Sequence, residues 1–531
     1  LPACTRPEWQ GIRDRELSDL HNGSLCGFYV KSIDESMPKL LFFKRFPQEN
    51  GKHMLDYPDL KLLINGEWRT TSETNPVVNP VDESVIGSTP VASKSDMDDA
   101  LAAAEAGFKV WSRTPAGARA DVLMRAADII RERVDEIALS NTLDMGKPLG
   151  DSRAEVLRCG KILEWDAAES LRLYGRVIEG PEGYRNTVLR RPIGPVVAFS
   201  TWNFPVSTAM RKIASALAAG CSLILKAPED TPSGAFQVAR VFQEAGLPDG
   251  VLNLLYGVPE DVSAYLIPQD SVRLVTFTGS TAVGHLLNKM AADHMKPVLM
   301  ELGGHAPVLV CDDVDPVRVA ELGAARKYRN SGQVCTSPTR FYVAEGHIDS
   351  FTESFLAKAR SVRVGSGLDT GTEMGPLVHA RRVEAMTDLV TDALDHGAEL
   401  KLGGKRMGNK GFFFEPTVLA NVPDSARIMR EEPFGPIAIL NTMASLDDGI
   451  AKANQLPFGL AAYGFTNSAA NIDRMVAEVE AGQLSLNTFD TSLPETPFGG
   501  VKSSGFGREG GAEGLTHYTV VKNVGHKSVI G

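Results

Sequence analysis

The chain has 531 residues, 43% of them hydrophobic and 23% charged, and its 55 basic and 66 acidic side chains leave a formal charge of −11. That length provides for two or three domains with buried cores, while an acidic balance without a basic tract excludes sustained binding along a nucleic-acid backbone. Six cysteines, at positions 4, 26, 159, 221, 311 and 335, are too sparse for a disulfide framework and fit a reducing compartment, so a cytoplasmic location is expected.

Residues 1–53 lack the charged-then-apolar layout of a leader peptide, and "KLLFFKRF" at 39–46 is too short to span a bilayer. They are expected to form an extension of no assigned role, with the functional body starting near Met54, so that deleting them leaves activity. Residues 95–173 read as helical: "SDMDDALAAAEAGFKVW" has apolar residues at three-to-four spacing with Ser95 as its N-cap. "ADVLMRAADIIRERVDEIALSNTLDMGKP" continues the pattern and stops at Gly146 and Pro148.

From 194 the rhythm changes. Apolar runs at 195–200, 222–227, 251–256, 272–277 and 297–302 alternate with helices at 206–219, 233–245, 260–267 and 281–292. Continuous apolar strands between helices predict a parallel sheet covered on both faces, an α/β, doubly wound, dinucleotide-type fold. A second α/β lobe follows 306. The expected division is a dinucleotide-binding domain from 54–173 and 193–302 and a catalytic domain from 303–490. Even the apolar stretch 206–225 carries Arg211 and Lys212, so no membrane span is expected; no CxxC or HExxH occurs, so no metal site is expected either.

Ligands of doubly wound sheets bind beyond the carboxyl ends of the strands. That rule selects "STWNFP" (200–205), "KAPED" (226–230), "FTGSTAVG" (277–284) and "ELGG" (301–304). Gly279, Ser280 and Gly284 form a strand-to-helix turn that suits a pyrophosphate, or serve only the turn. Lys226 and Glu229 suit the ribose hydroxyls of an adenosine, or face solvent. Asn203 caps the following helix or donates to an oxyanion. Glu301 is a general base or half of a strand-end salt bridge. Cys335, in "RKYRNSGQVCTSPTR", stands among polar residues with Arg326, Arg329 and Arg340 nearby, cations that would favour its thiolate. Cys159, Cys221 and Cys311 read as inert core residues. A papain-like hydrolase would need a histidine partner, and none of the ten sits in a recognisable motif.

Taken together, "TWNFP", "KAPE", "FTGSTAVG", "MELGG", "NSGQVC", "EEPFGP" and "PFGGVKSSGFGRE" resemble the aldehyde dehydrogenase superfamily, in order and spacing from about residue 60 onward. The resemblance implies that Cys335 attacks an aldehyde carbonyl, that Asn203 and the Cys335 amide hold the oxyanion, and that the thiohemiacetal yields a hydride and a thioester. Glu301 then activates water, which favours a free acid over transfer to coenzyme A or phosphate. With these three residues present, a role as a mere dinucleotide-holding protein is disfavoured. The resemblance places the cofactor on Thr201, Trp202, Lys226, Glu229, Gly279, Ser280, Gly284, Leu302, Glu432 and Phe434, with NAD favoured because Glu229 would repel a 2′-phosphate; NADP remains open. Three positions depart from the commonest pattern: Thr201, His305 and the Ala227-Pro228 pair.

Arg211, Arg329 and Ser492 match positions that bind the substrate carboxylate in succinate-semialdehyde dehydrogenases, so a short ω-carboxy semialdehyde is implied, with glutarate and 2-oxoglutarate semialdehydes or a broader range as alternatives. Structural ion pairs are the competing role for these arginines. Ser337 stands where some members carry a second cysteine, so no disulfide is expected at the site. The hairpin at 174–192, with its Pro-Glu-Gly turn, and the segment 511–531 match oligomerisation arms, implying a homodimer or homotetramer.

Overall fold

The computed structural model describes residues 57–490 and 492–528. The expected extension at 1–53 and the start at Met54 lie outside the described residues. Five parallel strands form the centre of the first sheet: Leu252–Leu255, Leu223–Lys226, Val196–Phe199, Leu274–Thr278 and Val298–Glu301, in that spatial order. Every residue of the first four is buried, which is why they read as unbroken apolar runs rather than as alternating ones. Chain order runs outward in one direction from Val196–Phe199 and then in the other through Leu274–Thr278, so the switch point lies between these two strands. Antiparallel strands finish both edges: Leu62–Ile64 with Glu67–Arg69 at one side, and the two-residue Gly505–Phe506, beside Met300 and Glu301, at the other.

The helices Pro205–Ala219, Ser233–Glu244, Pro259–Leu266 and Thr281–Asp293 occupy the expected intervals. The first begins on a proline at its N1 position and ends at Gly220, whose φ of 95° is left-handed. The long helical stretch divides into Lys94–Trp111, Ala116–Glu132, Val134–Met145 and Leu149–Ser170. Its N-cap is Ser93, not the expected Ser95. Ser93 Oγ accepts from Asp96 N at 3.2 Å and the Asp96 carboxylate accepts from Ser93 N at 2.9 Å, a reciprocal box that starts the helix two residues earlier and puts Ser95 inside its first turn.

The second sheet has seven strands in the order Glu399–Leu402, Thr417–Ala420, Ile437–Met443, Arg340–Ala344, Pro307–Val310, Ala461–Phe465 and Gln483–Leu486, parallel except for the first pair. Its two faces feed separate cores. Val308, Val310, Phe341 and Val343 pack with Phe351 and Phe355, whereas Leu309 and Tyr342 pack with Met386 and Leu389. That is the period-two alternation of a strand buried on both sides. A third, antiparallel sheet joins Arg176–Glu179, Tyr184–Pro192 and Thr519–Lys527, with Thr519 opposite Pro192 and Lys527 opposite Tyr184. The hairpin expected at 174–192 is thus present, turning at Gly183 with φ 80°. Among the described residues no helix is long and apolar enough to cross a membrane, and no His/Cys/Asp/Glu cluster could hold a metal ion.

Candidate active site

A cavity of about 690 Å³ opens beyond the carboxyl ends of the first sheet and is lined by Thr201, Trp202, Asn203, Arg211, Gly279, Ser280, Glu301, Leu302, Arg329, Cys335, Glu432, Phe434 and Ser492. Thirteen positions scattered over nearly three hundred residues of sequence therefore share one space.

The segment before Cys335 is held in an unusual conformation. Asn330, Ser331 and Gly332 have φ values of 50°, 56° and 70°. A Cβ on Gly332 would stand 2.1 Å from Gly435 O, so only glycine allows this close approach. Side chains pin the turn: Ser331 Oγ donates to Gly375 O at 2.7 Å, Gln333 Oε1 accepts from Val378 N at 3.0 Å, and Asn330 Nδ2 donates to Asn203 O at 3.1 Å. Cys335 follows with a half-buried thiol. Burial, then the carboxylates of Glu301 and Glu432, push its pKa well above the ordinary value. This corrects the expectation that neighbouring arginines favour the thiolate. Arg340 points away into the core, donating to His305 O at 3.0 Å, and the charges nearest the sulfur are carboxylates.

Asn203 does not cap the helix that follows. Glu155 Oε1 takes the first-turn amides of Val206 and Ser207 at 3.0 and 2.9 Å. Asn203 Nδ2 instead donates to Gln333 O at 3.1 Å, which leaves its second hydrogen for another acceptor. Lys147, fully buried, donates to Asn203 O at 2.9 Å and to Glu155 at 2.7 Å, and lies 4.2 Å from the centre of the Phe204 ring.

Glu301 makes no salt bridge among the described residues, and its Oε1 is buried without a hydrogen-bond partner. Burial, with the charge of Glu509, raises its pKa to about 8. Glu509 itself pairs with the fully buried Lys212 at 2.8 Å. Glu432 is likewise raised to about 8 by burial, against a hydrogen bond from the Gly304 backbone and the charges of Arg382 and Lys327. Beside it Gly303 has no side chain; a Cβ there would stand 2.5 Å from Glu432 Oε2. Phe434 has a φ of 44° and meets Trp202 edge-to-face at 5.3 Å, its carbonyl accepting from Arg382 Nη2 at 3.1 Å.

The remaining expected cofactor positions divide. Ser280 is the N-cap of Thr281–Asp293 and, with Gly279, faces the cavity. Gly284 does not line it: a Cβ there would stand 2.3 Å from Leu302 Cδ2, so its task is helix-to-strand packing. Lys226 and Glu229 also lie outside the cavity wall and pair with one another, and burial lowers the Lys226 pKa to about 7. A nicotinamide dinucleotide fits the groups on the cavity: a helix N-terminus at Ser280, a side-chain-free strip at Gly303, and the Glu432 carboxylate beside it.

At the opposite end Arg211, nine-tenths buried, donates through Nη2 to Ser492 Oγ at 3.0 Å and lies 5.7 Å from the centre of the Phe498 ring. Arg329 is about one-third exposed and reaches Asp151 at 3.7 Å. Sequence reasoning missed Arg158, which donates to Ser492 O and Oγ at 2.5 and 2.7 Å. It also missed the Lys147–Glu155 and Lys212–Glu509 pairs. The "DMGKP" end of a helix was the one local signal for Lys147.

Residues 68–524 match the model of the aldehyde dehydrogenase family. The chain is 42% identical over 465 residues to 4-(hydroxymethyl)benzenesulfonate dehydrogenase of Comamonas testosteroni, covering 87% of this chain and 97% of that one. It is 38% identical to a succinate-semialdehyde dehydrogenase [NADP(+)] of Escherichia coli, covering 87% and 96%. A crystal structure of an NADP-dependent enzyme of E. coli superposes with a TM-score of 0.87 at 37% identity, covering 88% and 98%. The chain belongs to the aldehyde dehydrogenase family, and its activity is the oxidation of an aldehyde with NAD or NADP.

Proposed function

We propose that this enzyme oxidises a short aldehyde bearing an anionic group at its far end, with succinate semialdehyde the leading substrate and glutarate or 2-oxoglutarate semialdehyde, or a broader range, as alternatives. The observation that carries this reading is the placement of Arg211, Arg329 and Ser492 on the cavity that also holds Cys335. An apolar tunnel would suffice for a neutral aldehyde; guanidinium groups facing a buried space select an acceptor with charge. Relatives named for a sulfonate and for a semialdehyde support an anionic tail.

In this reading Cys335 Sγ attacks the carbonyl carbon, and its proton passes to the facing Glu301 carboxylate. Asn203 Nδ2 and the Cys335 amide hold the oxygen that becomes negative. A bound nicotinamide dinucleotide supplies the hydride acceptor. Glu432 and Phe434 orient the nicotinamide end, the Ser280 turn receives the pyrophosphate, and Lys226 with Glu229 reads the adenosine ribose. Glu229 favours NAD, since a carboxylate there repels a 2′-phosphate. Glu301, once it has passed the thiol proton on to solvent, takes a proton from the water that cleaves the thioester; the acid leaves and the sulfur of Cys335 is freed as the thiolate. The same proposal assigns cofactor binding to 54–173 and 193–302, catalysis to 303–490, and subunit pairing in a dimer or tetramer to the arms at 174–192 and 511–531, in a cytoplasmic setting. Exposed Val177 and Val521 on the third sheet support that pairing.

The deciding experiment is a steady-state screen with NAD and NADP over a panel of carboxylated and neutral aldehydes of equal length. A preference for the neutral members would overturn the anionic-tail reading.

A further inference from the structure

The anion end of the cavity holds more positive charge than one carboxylate neutralises. Arg158, Arg211, Arg326 and Arg329 all line it. Among the described residues the one ion pair that these four make is Arg329 with Asp151, at 3.7 Å. The other carboxylates nearby are committed elsewhere: Glu155 to Lys147, and Glu509 to Lys212. Asp166 faces Arg211, but burial raises it to about 7, so it carries only part of a charge at neutral pH. Burial and the charges of Arg211, Arg329 and Arg326 lower Arg158 to about 10, a measure of the crowding.

The donors also come from more than one element. Ser492 Oγ accepts from Arg158 at 2.7 Å and from Arg211 at 3.0 Å, which fills both of its lone pairs and frees its hydroxyl hydrogen to donate. Nη1 of Arg211 is buried and has no hydrogen-bond partner among the described residues. Arg326 and Arg329 approach from a different element, the end of helix Pro316–Tyr328 and the turn after it. A planar carboxylate presents two oxygens and is satisfied by one guanidinium fork. A tetrahedral oxyanion presents three oxygens in a cone and meets donors arriving from several elements.

We propose that Arg158 is a specificity-determining residue of this enzyme, and that with Arg211, Arg329 and Ser492 it forms a site for an aldehyde whose far end is a tetrahedral oxyanion, a sulfonate or a phosphonate. Arg158 also holds the loop of Ser492 against helix Leu149–Ser170. The inference rests on the reading that the cavity takes aldehydes with anionic tails.

The test compares kcat/KM of the full chain for succinate semialdehyde, its sulfonate and phosphonate counterparts of equal length, and butanal. The expected result is that a sulfonate or phosphonate tail is used at least as well as the carboxylate. Arg158→Gln should lower kcat/KM for the tetrahedral tails about tenfold more than for butanal, since it removes a charge-assisted donor. The wild-type comparison needs no variant and stands even where Arg158→Gln fails to fold. A clear preference for the carboxylate over both tetrahedral tails, or an equal loss on all four aldehydes in a folded Arg158→Gln, would overturn the proposal and leave the anionic-tail reading intact. A preference for butanal would overturn both. The sulfonate and phosphonate arms separate the two tail chemistries.

Discussion

The main-chain oxygen of Asn203 lies 2.9 Å from Lys147 Nζ, and that ammonium is itself 2.7 Å from the Glu155 carboxylate. The pair is sealed from solvent, with side-chain exposures of 0% and 1%. Because Glu155 also takes the first amides of the helix after Asn203, one buried ion pair fixes both the peptide and the helix that carry the amide side chain. Lys147→Met leaves Glu155 as an unpaired buried charge, a loss of about 3–5 kcal/mol that thermal unfolding will register. In the fraction that folds, kcat should fall by about 100-fold through misplacement of Asn203, with a much smaller change in the aldehyde KM. An unchanged kcat would remove Lys147 from the ordering of Asn203.

The proposed role of Glu301 as base carries a pH dependence. Its pKa of about 8 means that the carboxylate form required of a base accumulates as pH rises, so kcat should increase with pH through about 8. Glu301→Gln should remove that limb and lower kcat by about 10²–10⁴. For stability the sign is opposite. A carboxyl raised in the folded state from 4.5 to about 8 holds a proton that the unfolded chain releases, so its contribution is full below 4.5 and is lost as pH rises through about 8. The midpoint of unfolding in Glu301→Gln should therefore fall less steeply over that interval than in the wild type.

The two expected substrate arginines are not equivalent. Among the described residues Arg211, nine-tenths buried, engages Ser492 alone by hydrogen bond, whereas Arg329 is partly exposed and shares its charge with Asp151. Arg211→Ala should raise the KM for succinate semialdehyde by about tenfold or more, the worth of a charge-assisted hydrogen bond. Arg329→Ala should raise it by about two- to fivefold, as for a solvent-screened pair. Butanal KM values should move little in either variant; equal effects on both aldehydes would dismiss the clamp.

Cofactor choice is tested at two places. Glu229→Ser removes the carboxylate paired with Lys226 and should shift the ratio of kcat/KM for NADP over NAD upward by about tenfold. Gly303→Ala puts a methyl group 2.5 Å from Glu432 Oε2 and should raise the KM for the dinucleotide more than that for the aldehyde. A variant with unaltered dinucleotide KM would separate Glu432 from cofactor binding.

The five parallel strands of the first sheet were legible to within about two residues, because a strand buried on both faces leaves a continuous apolar run. Gly505–Phe506 was not: a two-residue strand inside "SSGFGRE" has no periodicity to read, and only its partners Met300 and Glu301 define it. The catalytic candidates were legible as a set of loops at strand ends. Arg158 was not, since it lies on a helix whose sequence reads as an ordinary amphipathic surface, and its partner Ser492 is brought to it by tertiary folding. The charge state of Cys335 was misread for a related reason. Sequence neighbours suggested cations, but Arg340 turns into the core while Glu301 and Glu432 arrive from distant strands and loops.

The Gly505–Phe506 strand has a consequence for biosynthesis. It covers the outer edge of the strand that ends in Glu301, and Phe498 and Glu509 on either side of it wall the cavity. During translation the carboxylate is made roughly two hundred residues before the segment that encloses it. Until that segment emerges, the sheet presents an open hydrogen-bonding edge to other nascent chains, so the interval between the two stretches is a period of exposure to misassembly.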